Sequence, residues 1–301
     1  MVYLTGKGKL QLKYISKILT PLYHMKLSSG VKFMLLATFT FTVMKVCIKA
    51  IPHIPAIEII LFRSVISLGL SLAVLVPKKI SPWGNNKPIL VARGVAGAFA
   101  LMIYFTLIQQ IPLATAATLQ YLAPIFTAII GIFLVKERVH PLQFVFFAVA
   151  FAGVLIVQGF DQRISTTHLI MGVTTSVFMG LAYNFIRKLK TSEHPLVIIF
   201  YFPLVMFPIS AVWSSLVWVQ PQGTDWLYLI AVGVITQIAQ YFMTKSYQSA
   251  ELSKVSILNY IGLIYALLFG YFLFDETFNL MTYLGMALVL TGVVANVIFK
   301  K

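Results

Sequence analysis

Residues 92–143, ARGVAGAFALMIYFTLIQQIPLATAATLQYLAPIFTAIIGIFLVKERVHPLQ, contain two apolar runs divided at Ile111-Pro112 and closed by the charged cluster Lys136-Glu137-Arg138. Each run is about twenty residues, the length an α-helix needs to cross the hydrocarbon core of a bilayer. The same text returns further along the chain. At a shift of 139 positions without gaps, Gly94 aligns with Gly233, Gln109 with Gln248, Leu119 with Leu258, Tyr121 with Tyr260, Gly131 with Gly270, Glu137 with Glu276 and Gly153 with Gly292. Chance readily matches one apolar residue with another, but it does not readily place Gln, Tyr, Gly and Glu in a single register. A weaker register of 142 pairs Gly30 with Gly172 and Lys45 with Arg187.

Working outward from that stretch, ten apolar segments fill the chain, at roughly 31–51, 57–76, 89–109, 113–135, 141–159, 169–190, 196–218, 226–247, 252–273 and 279–299. Hydrophobic residues are 59% of the composition and charged ones 10%, against about 25% charged in soluble proteins. The expected fold is all-α: a polytopic membrane protein of ten transmembrane helices. It divides into a basic N-terminal tail (1–30), a first five-helix repeat (31–159) and a second (160–301). An odd number of spans per repeat makes the second repeat enter the membrane from the opposite side, so the repeats are inverted. Two similar halves of opposite sense can exchange inward-open and outward-open shapes around a site at their interface.

A net charge of +15 would point to nucleic acid in a soluble protein. Here the cations sort by side of the membrane, as the positive-inside rule requires, and nucleic acid is not an expected partner. Nineteen of the 23 Lys and Arg residues fall on one side: six between Lys7 and Lys32, then Lys78, Lys79, Lys87, Arg93, Lys136, Arg138, Arg187, Lys188, Lys190, Lys245, Lys254, Lys300 and Lys301. The opposite connections hold only Arg163, and Lys45, Lys49 and Arg63 fall within spans. Both termini are expected in the cytoplasm of a cell whose plasma membrane, a bacterial inner membrane, holds the protein among its lipids. The single Cys47 reads as a packing residue. Small residues at Gly262, Ala266 and Gly270, at Gly94 and Gly97, and at Ala148 and Ala152 read as close helix contacts, which serve a monomer and a homodimer equally.

Pro112-Leu113-Ala114, Leu122-Ala123-Pro124 and Lys136-Glu137-Arg138 carry a resemblance to the EamA domain of the drug/metabolite transporter superfamily. The second copy has Tyr260 and Asp275-Glu276-Thr277 in the matching places, but Leu263 where the first has Pro124. The resemblance covers nearly all of residues 30–299. It implies a secondary carrier of amino acids, nucleotide-like metabolites or other small solutes, often an exporter. Glu58, Phe62-Arg63 and Arg93-Gly94 look most like the branch that contains S-adenosylmethionine carriers, which makes uptake of that compound an alternative.

Ionisable and polar groups inside spans are the candidate substrate-binding residues. Lys45 lies about six residues, roughly 9 Å, from the outer end of its span, and Arg63 about six residues into the next. Lys49, nearer the end, is expected to snorkel. Glu58 is the candidate coupling residue, with pairing to Lys45 as its structural alternative. Gln120 and Tyr121 lie roughly 12 Å into the fourth span, where Pro124 deprives the Gln120 carbonyl of its helical donor; Asn259 and Tyr260 match them in the ninth. Tyr104, Gln237 and Tyr241 complete the set, and Gln240, Tyr183 and Asn184 lie nearby. Interhelical hydrogen bonding is the competing explanation for each of these polar residues. Trp213 and Trp218 read as interface anchors. Lys45 and Arg63 oppose a cationic ligand, so the expected substrate is a small anionic or zwitterionic metabolite.

The rival classes are a membrane enzyme and a scaffold. All five histidines fall in the tail or connections, and neither HExxH nor GxSxG occurs, so no catalytic residue, metal or cofactor is expected. Substrate identity, direction and coupling ion are not written in the sequence. Met25-Lys26-Leu27-Ser28-Ser29-Gly30 reads as an ordinary protein start, with no removable signal peptide ahead of it. A chain beginning at Met25 should therefore reach the membrane and function as the full chain does; loss of membrane expression on deleting residues 1–24 would refute this.

Overall fold

The computed structural model describes residues 29–136, 141–189, 191–249 and 257–298; most of the basic tail, Glu137 and Glu251 lie outside them. Every described element is helical: α1 Ser29–Ala50, α2 Ala56–Leu75, α3 Lys87–Gln110, α4 Leu113–Gln120, α5 Ala123–Leu134, α6 Pro141–Phe160, α7 Thr166–Leu189, α8 Pro195–Val217, α9 Asp225–Ser249, a 3-10 turn Ile257–Tyr260, α10 Ile261–Phe274 and α11 Leu280–Ile298. Helices are the form that pairs backbone groups internally where no water can. Among the described residues eight segments are long and apolar enough to cross a membrane, counting Leu113–Leu134 as one, and Leu258–Phe274 and Leu280–Ala295 are shorter apolar helices. These are the ten expected spans, and the protein is a multi-pass membrane protein.

Local signals set the ends that matter for the site. Asn86 caps α3, its Oδ1 accepting from the Ile89 N–H at 3.4 Å, with Pro88 in the first turn; both are favoured at helix starts. Lys136 and Asp275, matched at 139 positions, both take left-handed backbone, φ 56° and 51°, just past the ends of α5 and α10. At the second of these ends the Glu276 N–H returns to the Gly270 carbonyl at 3.0 Å, the bond that closes a left-handed helix terminus.

The packing obeys the repeat. α1 packs on α9 as α3 packs on α7, α5 on α7 as α10 on α1, and α2 on α9 as α8 on α3. Two pairs map onto themselves, α2 with α8 and α6 with α11, while α4 and α10 bring the fourth span against the ninth. Such reciprocity is what a two-fold relation between halves produces. At atomic scale, a Cβ on Gly153 would stand 2.6 Å from the Gly285 carbonyl oxygen and 2.7 Å from the Val289 nitrogen. A Cβ on Gly292 would meet Phe146 O and Ala150 N, each at 2.7 Å. These contacts are one another's images in the 139 register. The small residues that face α11 from α6 are therefore Ala150 and Gly153, both buried, whereas Ala148 and Ala152, the expected stripe, face outward.

Gly153→Ala forces α6 and α11 apart, because the obstructing atoms are backbone, and should cost about 1–3 kcal/mol. Gly159→Ala, with nothing within 4 Å of the new methyl, should be neutral or slightly stabilising by its helix propensity. Thermal unfolding of the two variants in detergent checks this, and equal midpoints would overturn the close contact.

Candidate functional site

Span four breaks between α4 and α5. The Tyr121 N–H is shared between the carbonyls of Ala117 and Thr118 at 3.1 Å each, and the Leu122 N–H turns back to Leu119 O at 3.2 Å. Pro124, inside the first turn of α5, has no N–H for the ladder. α7 supports the break: Ser176 Oγ donates to Leu119 O at 2.8 Å and Asn184 Nδ2 to Thr127 O at 2.9 Å. Gly180 lets α7 lie this close, since a Cβ there would meet the Phe126–Thr127 backbone at 2.8 Å. The ninth span breaks in the matching place, through the 3-10 turn, without a proline.

The two breaks meet. Tyr121 and Tyr260 contact edge to face, with ring centroids 5.0 Å apart, and the Tyr121 hydroxyl donates to Asn259 O at 3.0 Å. Thr38 Oγ1 donates to Asn259 Oδ1 at 3.3 Å. On the same elements Lys45 Nζ donates to Gln120 Oε1 at 2.9 Å and stands 5.3 Å from the centre of the Tyr104 ring. Gln120 Nε2 in turn faces Met179 Sδ at 3.6 Å. The Tyr104 hydroxyl is buried and has no hydrogen-bond partner. Lys45, Tyr104, Gln120, Tyr121, Asn259 and Tyr260 thus form one cluster where α1, α3 and α4 of the first half face the ninth span of the second.

Arg63 is in a second place. Its Nε donates to Thr236 Oγ1 at 3.3 Å, and its guanidinium carbon lies 4.8 Å from the centre of the Phe202 ring. Arg93 lies 5.0 Å from that same ring. Both side chains are buried, at 4% and 8% exposure. With Ser67, Phe202, Pro203, Thr236, Gln237 and Gln240 they line one narrow cavity between α2 and α3 of the first half and α8 and α9 of the second. Gln237 also bonds Ser71 at 3.2 Å. The two clusters touch through Thr236, whose hydroxyl donates to the sulfur of Met44, the neighbour of Lys45, at 2.9 Å.

Arg93, assigned by its charge to a connection, lines the candidate cavity and was not among the expected site residues. The signal was present in Asn86-Lys87-Pro88, a helix start that puts Arg93 about 9 Å along α3. Tyr241 is not gathered with the others: it is 51% exposed, because Gly233, Thr236, Gln237 and Gln240 make the inward stripe of α9 and Tyr241 falls beside it. Tyr183 is likewise 38% exposed.

Glu58 and Lys45 do not pair. Glu58 is fully buried at the far end of α2, where Oε2 accepts from the Val219 N–H at 3.0 Å and Oε1 has no partner. Lys49 does not snorkel either. It pairs with Glu276 at 3.0 Å and donates to Ile111 O at 2.8 Å, while both Glu276 oxygens accept from Leu113 N–H, at 3.0 and 2.9 Å. A carboxylate at a helix N-terminus is favourably placed, and this one joins α1 and α4 to the α10–α11 connection. Trp213 and Trp218 are about half exposed. Among the described residues no group of three His, Cys, Asp or Glu side chains could hold a metal ion.

Residues 28–158 and 166–298 each match the EamA-like transporter family. The chain is 30% identical over 279 residues, 91% of its length and 98% of the relative's, to a pseudopaline exporter of Pseudomonas aeruginosa. It is 26% identical to solute carrier family 35 member G1 of Homo sapiens, over 82% of this chain and 73% of that one. Against an S-adenosylmethionine uptake transporter of Rickettsia prowazekii it is 19% identical, covering 91% and 94%. A solved crystal structure superposes with TM-score 0.65 at 18% identity, covering 91% of this chain and 99% of the other, which is a likeness of fold.

Removing Glu276 leaves Lys49 and the Leu113 N–H buried without their acceptor, so Glu276→Ala should cost about 3–5 kcal/mol. Lys49→Ala should cost less, and the double variant should fall short of the sum of the two by more than about 1 kcal/mol. A double-mutant cycle on thermal unfolding measures this; an additive cycle would refute the coupling.

Proposed function

Because the chain belongs to the EamA-like transporter family and is a membrane transporter, we propose that it is a secondary carrier moving a small organic anion or zwitterion across the cell membrane by alternating access. Its family and relatives are transporters rather than enzymes. The observation that carries the substrate class is the burial of Lys45, Arg63 and Arg93 at 8%, 4% and 8% exposure, none of them in an ion pair. Among the described residues the ion pairs are Lys49–Glu276, His53–Asp225 and Arg163–Asp161, all at connections or span ends.

A buried cation is costly unless paired. Lys45 has one amide oxygen and an aromatic face; Arg63 has one hydroxyl and an aromatic face. Arg63 Nη1 and Arg93 Nε and Nη1 have no hydrogen-bond partner. A solute that brings oxygen acceptors completes these groups, and a cationic one is repelled. Lys45, Gln120 and Tyr104 offer charge, amide and hydroxyl to one end of the solute, while Arg63 and Gln237 face it from the neighbouring cavity. This disfavours the S-adenosylmethionine alternative, whose sulfonium would sit among three cations. Similarity to an exporter at 30% identity, against 19% for the uptake carrier, favours export. The one-sided distribution of Lys and Arg supports a cytoplasmic placement of both termini.

Closure at both faces supports alternating access. On the face of the 51–55, 218–224 and 275–279 connections, His53 meets Asp225 at 3.0 Å, Asn279 Nδ2 donates to Phe160 O at 2.6 Å and Arg163 Nη2 to Thr277 O at 2.9 Å. On the opposite face the Glu193 carboxylate accepts from the Asn85 and Asn86 N–H groups, and the Tyr201 hydroxyl donates to Trp83 O at 2.8 Å. These ties join one half to the other or connection to connection, and each must loosen for its face to open.

The test is release from proteoliposomes loaded with a mixed metabolite extract, followed by mass spectrometry. Anionic or zwitterionic compounds should leave selectively, and Arg63→Ala should slow their release at least about tenfold, the value of a lost charge-assisted bond. No selective release from folded protein under several ion gradients would overturn the carrier reading, and release unchanged by the substitution would remove Arg63 from the site.

A further inference from the structure

We infer that the cavity bounded by Arg63 and Arg93 is a subsite for a doubly charged oxyanion group, either a phosphate or a pair of carboxylates, so that the transported solute carries such a group. The inference rests on the carrier reading and sharpens it, since one positive charge would serve a simple carboxylate and this cavity supplies two.

Both guanidinium groups lie within 5.0 Å of the centre of one ring, that of Phe202, and so less than about 10 Å from each other. Guanidinium groups stack on aromatic faces and still present their N–H edges to a ligand. Those edges are unsatisfied here: Arg63 Nη1, Arg93 Nε and Arg93 Nη1 are buried without partners, as is the hydroxyl of Ser67 in the same wall. Unpaired like charges this close repel in a medium of low dielectric constant. Among the described residues no carboxylate lines the cavity; Thr236, Gln237 and Gln240 supply only neutral groups. What is missing is two negative charges bearing several acceptor oxygens, the complement that arginine forks recognise in phosphate and carboxylate.

Position in the fold makes the group a carried one rather than a fixed counter-ion. Two walls of the cavity, α2 and α3, belong to the first half; the other two, α8 and α9, belong to the second and are their images in the repeat. The cavity as it stands is about 10 Å³, room for a single water, so the oxyanion group enters as one half rocks against the other and widens this space. Gly97 keeps the ring seated, since a Cβ there would press on Phe202 at 2.8 Å.

The experiment is thermal unfolding of the purified full-length protein in detergent, titrated with sodium phosphate and with sodium malonate against sodium chloride at equal ionic strength. Saturable stabilisation by one or both dianions beyond chloride is expected, and which of them acts tells a phosphate group from a dicarboxylate. Arg93→Gln should weaken the apparent affinity about 10- to 100-fold, and Arg93→Lys, which keeps the charge but loses the fork, should fall between. Isothermal titration of the wild type gives the affinity independently if Arg93→Gln fails to fold. Chloride stabilising as well as either dianion, or Arg93→Lys and Arg93→Gln binding as tightly as wild type, would overturn the subsite. Dianion binding without any transport overturns the carrier reading alone; transport of organic anions without dianion binding overturns the subsite alone.

Discussion

The backbone contact between α6 and α11 is the constraint on which the arrangement of the two halves depends. Lipid supplies no hydrophobic drive to bring helices together, so they associate by close packing where side chains are small. Gly153, Gly285 and Gly292 permit an approach in which any Cβ would stand 3.0 Å or less from backbone atoms of the facing helix. The contact is its own image in the repeat. Once it fixes an axis, the remaining pairs follow in matched sets, and the broken spans four and nine are brought face to face. That is why Tyr121 and Tyr260, which occupy one position in two copies of the same text, end as neighbours. It is also why the cavity of Arg63 and Arg93 draws its walls equally from both halves.

Charge is partitioned by depth. Of the described carboxylates toward one face, four are engaged there: Glu58 with a backbone N–H, Asp161 with Arg163, Asp225 with His53, and Glu276 with Lys49 and the start of α4. Glu193 ties the opposite face. The interior keeps the cations, so acids secure the faces while bases occupy the space between. If the interior positions served stability alone, apolar residues would serve better there, because a buried unpaired charge costs more than an apolar replacement.

The spans and the inverted repeat were legible because both are written as periodic text: runs of about twenty apolar residues and a register that returns after 139 positions. Gln120, Tyr121, Asn259 and Tyr260 were legible for the same reason, each recurring at a matched depth. Rotation about a helix axis and partners distant in sequence were not legible. Tyr241 and Gln237 are four residues apart and share a helix, yet the inward stripe passes through Gln237 and Gln240 and leaves Tyr241 exposed. Lys49 was assigned to the interface by its depth, but its partner, Glu276, stands in the other half of the chain, where no local pattern connects them. Arg93 was hidden by the positive-inside count itself, which assigns a basic residue near a span end to the aqueous side without asking where the helix begins.

Cations buried in the core with no carboxylate partner among the described residues hold the bundle away from its electrostatic optimum. A ligand shifts a conformational equilibrium only by the difference in its affinity for the two states. If the cavity between α2, α3, α8 and α9 is the proposed subsite, its unpaired donors supply such a difference, because an anion would engage them to different extents as those helices part or converge. Bound anion would then favour the arrangement in which the interior charges are neutralised. Without it, repulsion between Arg63 and Arg93 would oppose the convergence of the same helices. A fixed Glu in this cavity would remove both effects at once, and with them the coupling that the proposal requires.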